Sequence, residues 1–246
     1  LCIIVVAIAG VAGGGLFVKK IIDNSPDITP DDVKPQGFTT LVYADDGTTE
    51  IERFVAAGSN RVYKTIDEIP ADLQHAFVAI EDERFYEHNG IDIRGIMRAM
   101  AENIKTMSFS QGASTLTQQV LKNEVLDNEK SISRKIKEQY LAVSLENALK
   151  KQLGSKDAAK KYILELYLNT IPLHHGLRGV EAASQYYFGK HASELTLAEA
   201  ASIAGITKTP SLYAPDMNEE ESRKRQLTVL QKMLDLGMIT QAEHDE

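Results

Sequence analysis

The chain of 246 residues contains no tryptophan, a single cysteine and only 7% aromatic residues. With so few aromatic rings, we do not expect a broad aromatic platform for stacking sugars. The one cysteine, Cys2, excludes an intrachain disulfide and a cluster of cysteine metal ligands. Positive charge is also scarce, since 27 basic residues against 35 acidic ones give a net charge of -8. That balance excludes broad nucleic-acid binding but allows a small basic pocket for one anionic group.

The N-terminus has a long uncharged run, residues 1–18, which Lys19 and Lys20 follow directly. As a helix, such a run extends roughly 27 Å, close to the thickness of a bilayer core. We therefore predict a transmembrane helix over residues 1–20, truncated at its start. The alternative is a cleaved signal peptide, but no clear small-residue cleavage site follows. Residues 21–37 contain three prolines and several acidic residues, which predicts an extended linker.

The remainder, residues 38–246, is predicted to be one mainly α-helical domain with a short β segment at 38–63. Two β-like runs, 38–43 and 50–55, flank a turn at Asp46-Gly47 and predict a hairpin. Apolar periodicity and capping residues then predict a succession of helices. The first three are a helix that ends near Arg84, one over 92–105 and one from Ser114 through Lys122. A long helix follows from Ile132, and because it is apolar on two sides we predict that it is buried. The remaining helices are predicted over 157–169, over 180–187, from Thr196, and over 218–235, where Gly237 closes the last one.

The first polar cluster, residues 81–90, follows an apolar helix face formed by Leu73, Phe77 and Ile80. Glu81 lies one turn after Phe77, so it continues this inward face. A carboxylate held among apolar side chains accepts a proton more readily, as a general base requires near neutral pH. The alternative is a helix end with solvated charges, and spacing alone does not separate the two interpretations.

The second cluster, residues 112–123, places six hydroxyl, amide or ammonium side chains within nine positions from Ser114 onward. These positions fall at a predicted helix N-terminus, where backbone N–H groups favour anions, and Lys122 adds a point charge. This pattern predicts an anion-binding helix start. A well-capped surface helix is the alternative.

The third cluster consists of Arg134, Lys135 and Glu138. Arg134 and Glu138 are four residues apart, so they share one helix face. One interpretation is an intrahelical salt bridge of little energetic weight. The other is a second, buried carboxylate beside cations that hold a phosphate.

Together, the clusters resemble the motifs of glycosyltransferase family 51, the transglycosylase module of class A penicillin-binding proteins. The resemblance is carried, in order, by EDERFYEHNG (81–90), GASTLTQQVLKN (112–123), RKIKE (134–138), KKYILELYLN (160–169) and RGVEAASQYYFGK (178–190). It covers about residues 60–235. The segment LVYADDG (41–47) resembles bifunctional members more than monofunctional ones.

The resemblance implies a lysozyme-like helical fold with a smaller jaw subdomain that is partly immersed in the membrane. It implies a peptidoglycan glycosyltransferase that polymerises lipid II, with one lipid II or growing glycan chain as donor and another as acceptor. A single membrane span would place the catalytic domain on the extracytoplasmic side of the cell membrane. Further expected partners are a divalent cation (Mg or Mn) with the pyrophosphate, moenomycin-type inhibitors and cell-wall synthesis proteins; no organic cofactor is implied.

The resemblance also implies roles for individual residues. Glu81 would be the general base on the acceptor C4 hydroxyl, and Glu138 a second carboxylate that orients groups or stabilises charge. Cations at three positions would bind the donor pyrophosphate: Lys122, Arg134 and Lys135. The other positions implied to bind substrate are Asp82, Arg84, His88, Ser114, Thr115, Gln118, Gln119, Asn169 and Arg225.

Elementary chemistry favours transfer over hydrolysis. A pyrophosphate leaves as an anion, so the donor needs cations, whereas the acceptor hydroxyl needs a base. Direct displacement would convert an α-linked donor into a β-linked product with one inversion. Two alternatives stay open: a lysozyme-like glycan hydrolase, which also uses two carboxylates, and a non-catalytic membrane scaffold that binds lipid II.

One segment departs from the family pattern. Between Asn169 and Val180, where an aromatic residue and a turn rich in Gly and Asn are expected, the chain has PLHHGLR (172–178). Adjacent residues such as His174 and His175 rarely chelate one metal ion together, and no third ligand is near in sequence. We therefore predict no metal site there, and the role of the two histidines stays open.

Overall fold

The computed structural model describes residues 14–35, 40–54, 60–107, 112–126 and 131–246. Within these ranges the chain is mainly helical, as predicted, with a hairpin near the N-terminus. Residues 14–23 form helix α1. The other helices are α2 (Ala71–Glu81), α3 (Ile93–Thr106), α4 (Leu116–Glu124), α5 (Ile132–Leu153), α6 (Lys156–Thr170), α7 (Val180–Phe188), α8 (Leu197–Ile206), α9 (Pro210–Tyr213), α10 (Glu219–Asp235) and α11 (Gln241–Asp245). Short 3₁₀ helices at Ile66–Glu68 and Ala192–Glu194 precede α2 and α8.

The predicted transmembrane helix, residues 1–20, lies mostly outside the described residues and stays a prediction. Its last part is helical as α1, where Leu16 and Phe17 are exposed. In the part of the chain that the structure describes, no helix is both long and apolar enough to cross a bilayer. The predicted linker is seated on the helical body, since Val33 is fully buried in the core and Ile28 packs against it.

The predicted hairpin is present as β1 (Thr40–Tyr43) and β2 (Glu50–Phe54), which pair antiparallel. Residues 38, 39 and 55 of the predicted strands lie outside the described ranges. Asp46 holds the turn, because its carboxylate accepts hydrogen bonds from the backbone N–H groups of Thr48 and Thr49, both at 2.8 Å. Bonds from Thr49, by side chain and backbone, lower the pKa of Asp46 to about 2. Gly47, at φ +70°, supplies the left-handed residue that the turn requires.

The core lies between two groups of helices. In one, α4 packs against α5 and α6; in the other, α2 packs against α8 and α10. Helix α6 runs through the middle, and its residues from Ile163 to Thr170 are buried except Glu165. Because α2 ends beside α4, polar side chains at that junction are enclosed by both groups of helices.

Two predicted helix boundaries are wrong by a few residues. Helix α2 ends at Glu81 and not near Arg84, since Asp82 has extended backbone (φ -156°) and turns its carboxylate towards α4. The N-cap of α4 is Thr115 and not Ser114. Thr115 forms a reciprocal capping box with Gln118, which a cap at Ser114 could not make.

The prediction that α5 is buried on two sides is also wrong. One face is buried, through Leu141, Leu145 and Leu149, whereas Ile132 and Tyr140 on the other side are exposed. The buried face carries two carboxylates as well, at Glu138 and Glu146. The long helix therefore borders the core, and these two carboxylates face inward.

Helix α3 presents its apolar side to solvent. Only Gly95 and Ala99 of this helix are buried. A stripe of exposed apolar side chains runs along the opposite side and consists of Ile93, Met97, Met100, Ile104 and Met107. The spacing of four, three and four residues places the first four on one helix face. We call this set the α3 apolar stripe.

Candidate active site

Glu81 is the last residue of α2 and is half-buried where four helices meet. Its Oε2 atom accepts a hydrogen bond from Gln119 Nε2 of α4 at 2.8 Å. Its Oε1 atom accepts from the hydroxyl of Thr207, just after α8, at 2.6 Å. Among the described residues, no cation lies within ion-pair distance of Glu81. The carboxylate is thus held in place by neutral donors on two different elements.

The environment of Glu81 includes a buried aromatic residue and a basic residue. Burial raises the pKa of Tyr167 well above its ordinary value, and the charges of Glu81 and Asp82 act in the same direction. The guanidinium of Arg225, on α10, packs against the ring of Tyr213 at 5.9 Å. Burial lowers the pKa of Arg225, and the charge of Glu81 opposes this shift. Arg225 of α10 therefore has a favourable electrostatic interaction with Glu81.

Asp82 faces away from Glu81 into the protein. Its Oδ2 accepts from the backbone N–H of Leu116, the first residue of α4, at 3.0 Å. Both of its carboxylate oxygens also lie 3.0 Å from His88 Nε2. A carboxylate at a helix N-terminus satisfies a free N–H and complements the helix dipole. The side chains of Asp82 and His88 are both almost fully buried.

The polar cluster of α4 divides into two sets. Thr115 and Gln118 are buried and bond to each other in the capping box, and the Thr115 hydroxyl donates to the carbonyl of Gly90 at 2.7 Å. Gln119 and Lys122, three residues apart, share the open side of the helix. Lys122 is exposed and makes no hydrogen bond or ion pair with any described residue. The open face of α4 therefore extends from Gln119, which contacts Glu81, to the unpaired ammonium group of Lys122.

Glu138 is almost fully buried, and cations from its own helix surround it. Arg134 Nη1 lies 3.0 Å from Glu138 Oε2, and the ammonium of Lys135 contacts Oε1. Lys135 also donates to Ser114 Oγ at 2.7 Å, just before α4. Arg134 Nε is buried without a hydrogen-bond partner among the described residues. The third cluster is thus joined to the second, and both interpretations of it hold in part: a salt bridge is present, and its carboxylate is buried.

Two predicted site residues make internal contacts. The Arg84 guanidinium pairs with Asp92 at 2.6 Å and with Glu83 at 2.5 Å. The Asn169 amide is buried and binds both backbone groups of Lys64, with Nδ2 to O and Oδ1 to N each at 2.8 Å. These contacts fix the segment after α2 and the segment before the first 3₁₀ helix. A role of Arg84 or Asn169 towards substrate stays a prediction.

Several residues of the site were not predicted. Thr207 lies 126 residues from Glu81 and has no local sequence signal. Lys160 and Glu146 form a buried ion pair of 2.7 Å, and Thr117 donates to the same Glu146 oxygen at 2.6 Å. Here a signal existed, because Lys160 is in phase with the apolar residues at 163, 164 and 167 of α6. A charged residue in phase with an apolar stripe is a candidate buried partner.

His174 and His175 occupy a turn in which both have positive φ, 72° and 47°. His175 Nε2 lies 2.9 Å from Asp216 Oδ2, and its ring lies 5.1 Å from that of Tyr186. Across the described ranges, no three His, Cys, Asp or Glu side chains converge as a metal-binding group. The contacts of His175 instead tie the turn to the segment between α9 and α10.

A family model described as Transglycosylase matches residues 47–234. Penicillin-binding protein 1A of Clostridium perfringens is 41% identical over 253 residues, which cover 99% of this chain and 36% of that protein. Penicillin-binding protein 1A of Escherichia coli is 43% identical over 234 residues, which cover 94% of this chain and 26% of that protein.

Among solved structures, penicillin-binding protein 1A from Haemophilus influenzae matches with a TM-score of 0.46 and 25% identity, over 86% of this chain and 20% of that one. The chain therefore spans only 36% or less of the length of these relatives.

Proposed function

The chain belongs to the transglycosylase family of penicillin-binding proteins (glycosyltransferase family 51), and from this premise we propose that it polymerises lipid II into peptidoglycan glycan strands. The proposal includes an inverting mechanism, in which the C4 hydroxyl of the acceptor sugar attacks C1 of the donor. Glu81 is the general base of this step.

The observation that carries the proposal is the difference between the surroundings of the carboxylates of Glu81 and Glu138. Both oxygens of Glu138 accept hydrogen bonds from cations, so its carboxylate is already engaged in two charge-assisted contacts. Glu81 is held by the amide of Gln119 and the hydroxyl of Thr207, which are neutral. Among the described residues no cation pairs with this carboxylate, which leaves it available to a substrate hydroxyl. The geometry therefore favours Glu81 as the base and Glu138 as the residue that positions cations.

The proposed reaction balances as one substitution. The acceptor C4 oxygen forms a bond to donor C1 while its proton passes to Glu81. The bond from C1 to the phosphate oxygen breaks, and its electron pair leaves with the lipid pyrophosphate. Neutral donors on both oxygens of Glu81 keep the carboxylate oriented during this transfer.

Negative charge that develops on the pyrophosphate needs nearby cations. Lys122 lies on the same face of α4 as Gln119 and one turn further on, so the ammonium group can reach a ligand whose reacting carbon lies near Glu81. Lys135 lies at the other end of this region, where it binds Ser114. Together with Arg134, these cations flank the first turns of α4.

A divalent cation with the pyrophosphate stays part of the proposal as a ligand of the substrate. Among the residues in the described ranges, no cluster of three acidic, histidine or cysteine side chains offers a protein-borne metal site. Glu81 makes no ion pair with any described residue, and in this proposal it serves as the base.

We also propose contact with the lipid bilayer that carries the substrate. The α3 apolar stripe exposes five large apolar side chains, with Ile104 72% and Met107 94% exposed. Exposed apolar patches of this kind mark interaction surfaces. Arg94 and Lys105 on the same helix suit the anionic surface of a membrane. A cell-membrane location with the domain on the extracytoplasmic side completes the proposal.

The test is the variant Glu81→Gln, which keeps the side-chain volume and removes the base. Purified protein is given labelled lipid II, and the products are separated by length while lipid II binding is measured in parallel. We expect glycan polymer to fall about a hundredfold or more, the range for loss of a general base, with lipid II binding largely retained.

Glu87→Gln is the matched control, because Glu87 follows in the same segment and is 66% exposed. It should polymerise lipid II at the wild-type rate. Polymer formation by Glu81→Gln at the wild-type rate would show that Glu81 is not the base. Binding of lipid II with no polymer from either the wild type or the variant would favour the scaffold. Release of fragments from mature glycan, without polymer from lipid II, would favour the hydrolase.

A further inference from the structure

A series of buried polar side chains connects the end of α2 with α4, α5 and α6. Starting from α4, the backbone N–H of Leu116 bonds to Asp82, and Asp82 contacts His88 Nε2. His88 Nδ1 lies 3.4 Å from the ammonium of Lys160, which pairs with Glu146 at 2.7 Å. We call the four titratable side chains (Asp82, His88, Lys160 and Glu146) the buried relay.

The other end of the buried relay, Glu146, also contacts α4. Thr117 donates its hydroxyl proton to Glu146 Oε1 at 2.6 Å. Helix α4 is therefore anchored at two adjacent residues, Leu116 through Asp82 and Thr117 through Glu146. Both anchors are carboxylates, and one ammonium group, that of Lys160, lies between them.

Lys160 is fully buried, and its contacts leave it no access to a ligand. Besides Glu146 and His88, its ammonium lies 4.5 Å from the centre of the Phe85 ring. Burial lowers the pKa of Lys160, and the negative charge of Glu146 opposes this shift. An ammonium facing Nδ1 of His88 makes that atom the acceptor, so Nε2 carries the proton and donates to Asp82.

From this arrangement we infer that Lys160 is a positioning residue, which holds α4 in register with α2 by fixing the His88 tautomer and both carboxylate anchors of α4. The inference rests on the proposed glycosyl transfer and deepens it. Helix α4 carries Gln119, whose amide orients Glu81, so a shift of the helix start moves the base. Lys122 tolerates such a shift better, because its long flexible side chain can readjust.

A change in the position of α4 relative to α2 should therefore affect the chemical step more than substrate binding. A misplacement of about 1 Å at a catalytic contact can cost up to about a hundredfold in rate. For Lys160 we expect a selective effect on kcat, with little change in KM for lipid II. A role limited to stability would change the amount of folded protein and leave kcat per folded molecule unaltered.

The test uses the double variant Lys160→Met/Glu146→Gln, which removes both charges of the ion pair and leaves Asp82 its hydrogen bonds to Leu116 and His88. Such paired replacement is often neutral for stability. We expect thermal unfolding near that of the wild type, kcat for lipid II polymerisation lower by about tenfold or more, and KM within about twofold. Lys161→Met is the matched control, since Lys161 is the neighbouring lysine of α6 and is exposed; its kinetics should be unchanged.

A folded double variant with wild-type kcat would overturn the inference. If the double variant does not fold, Thr117→Val decides, because it removes one anchor of α4 without touching a charge. Its kcat should fall about threefold to tenfold at unchanged KM, as loss of one buried hydrogen bond implies; wild-type kcat would again overturn the inference. Failure of the proposed function looks different, since the wild type and Lys161→Met would then form no polymer.

Discussion

Glu83 provides a quantitative test of how the segment after α2 is held. Three cations converge on its carboxylate: Arg84 at 2.5 Å, Arg98 of α3, and Lys232 of α10 at 2.5 Å. The side chain is only 12% exposed. Burial acts to raise the pKa of Glu83, but hydrogen bonds from Lys232 and Arg98 outweigh it and bring the value to about 2. The carboxylate thus joins α3 and α10 to the end of α2.

The magnitude follows from linkage between protonation and folding. A carboxyl whose pKa falls from 4.5 to about 2 on folding contributes about 3 kcal/mol at neutral pH, at about 1.4 kcal/mol per pKa unit. The pKa is depressed in the folded state, so this stability is present above pH 4.5 and is lost as the pH falls towards 2. By the same relation, about 1 kcal/mol is lost by pH 4 and about 2 kcal/mol by pH 3.

Glu83→Gln should therefore lower the thermal midpoint at pH 7 by about 6–12 °C, since 1 kcal/mol corresponds to about 2–4 °C for a chain of this size. The measurement is thermal unfolding by circular dichroism at pH 7, 5 and 4. The gap between wild type and variant should narrow as the pH falls. Glu87→Gln, which removes an exposed carboxylate 4.0 Å from Arg94, should change the midpoint little. Equal losses in the two variants, or a gap that widens in acid, would refute the reasoning.

Two further predictions concern a glycine and the α3 apolar stripe. Gly179→Ala should lower the thermal midpoint by several degrees, because φ is +83° and a Cβ there would lie 2.8 Å from the carbonyl oxygen of Asn169. Gly176→Ala is the control, since φ is +73° but the space around it is open, and it should lower the midpoint less. Equal decreases in the two variants would contradict the steric explanation. Met97→Gln/Met100→Gln should weaken co-sedimentation with phospholipid vesicles while leaving the thermal midpoint within about 2 °C, because both side chains are more than 60% exposed. Unchanged sedimentation would remove α3 from the membrane contact.

The helical class and most helix positions could be predicted because they depend on local chemistry. Thr196 and Glu199 form the predicted capping box, and Gly237 closes the last long helix with φ +67°. The N-cap of α4 was misplaced by one residue, although the decisive signal is local. Thr115 has a glutamine three residues later, which can return a hydrogen bond, whereas Ser114 has Thr117 at that position.

Long-range contacts could not be predicted in the same way. The direct partners of Glu81 are neutral, and one of them, Thr207 after α8, is distant in the sequence. Periodicity predicts which face of a helix is apolar, but it does not say which neighbour covers that face. For this reason, the exposure of Ile132 and the burial of Glu146 on α5 both emerge only from the packing.

Helix α4 explains why the predicted site residues have such different surroundings. At its start, Thr115, Gln118 and Asp82 each accept a hydrogen bond from a backbone N–H group at or just before the first turn of the helix. Its open face is where we propose that the ligand binds, and there Gln119 and Lys122 keep a side towards solvent. A family motif contains both kinds of residue without distinguishing them. Substitutions in the first set should therefore act on stability and on rate together, whereas Lys122→Met should weaken binding of the pyrophosphate and leave the thermal midpoint unchanged.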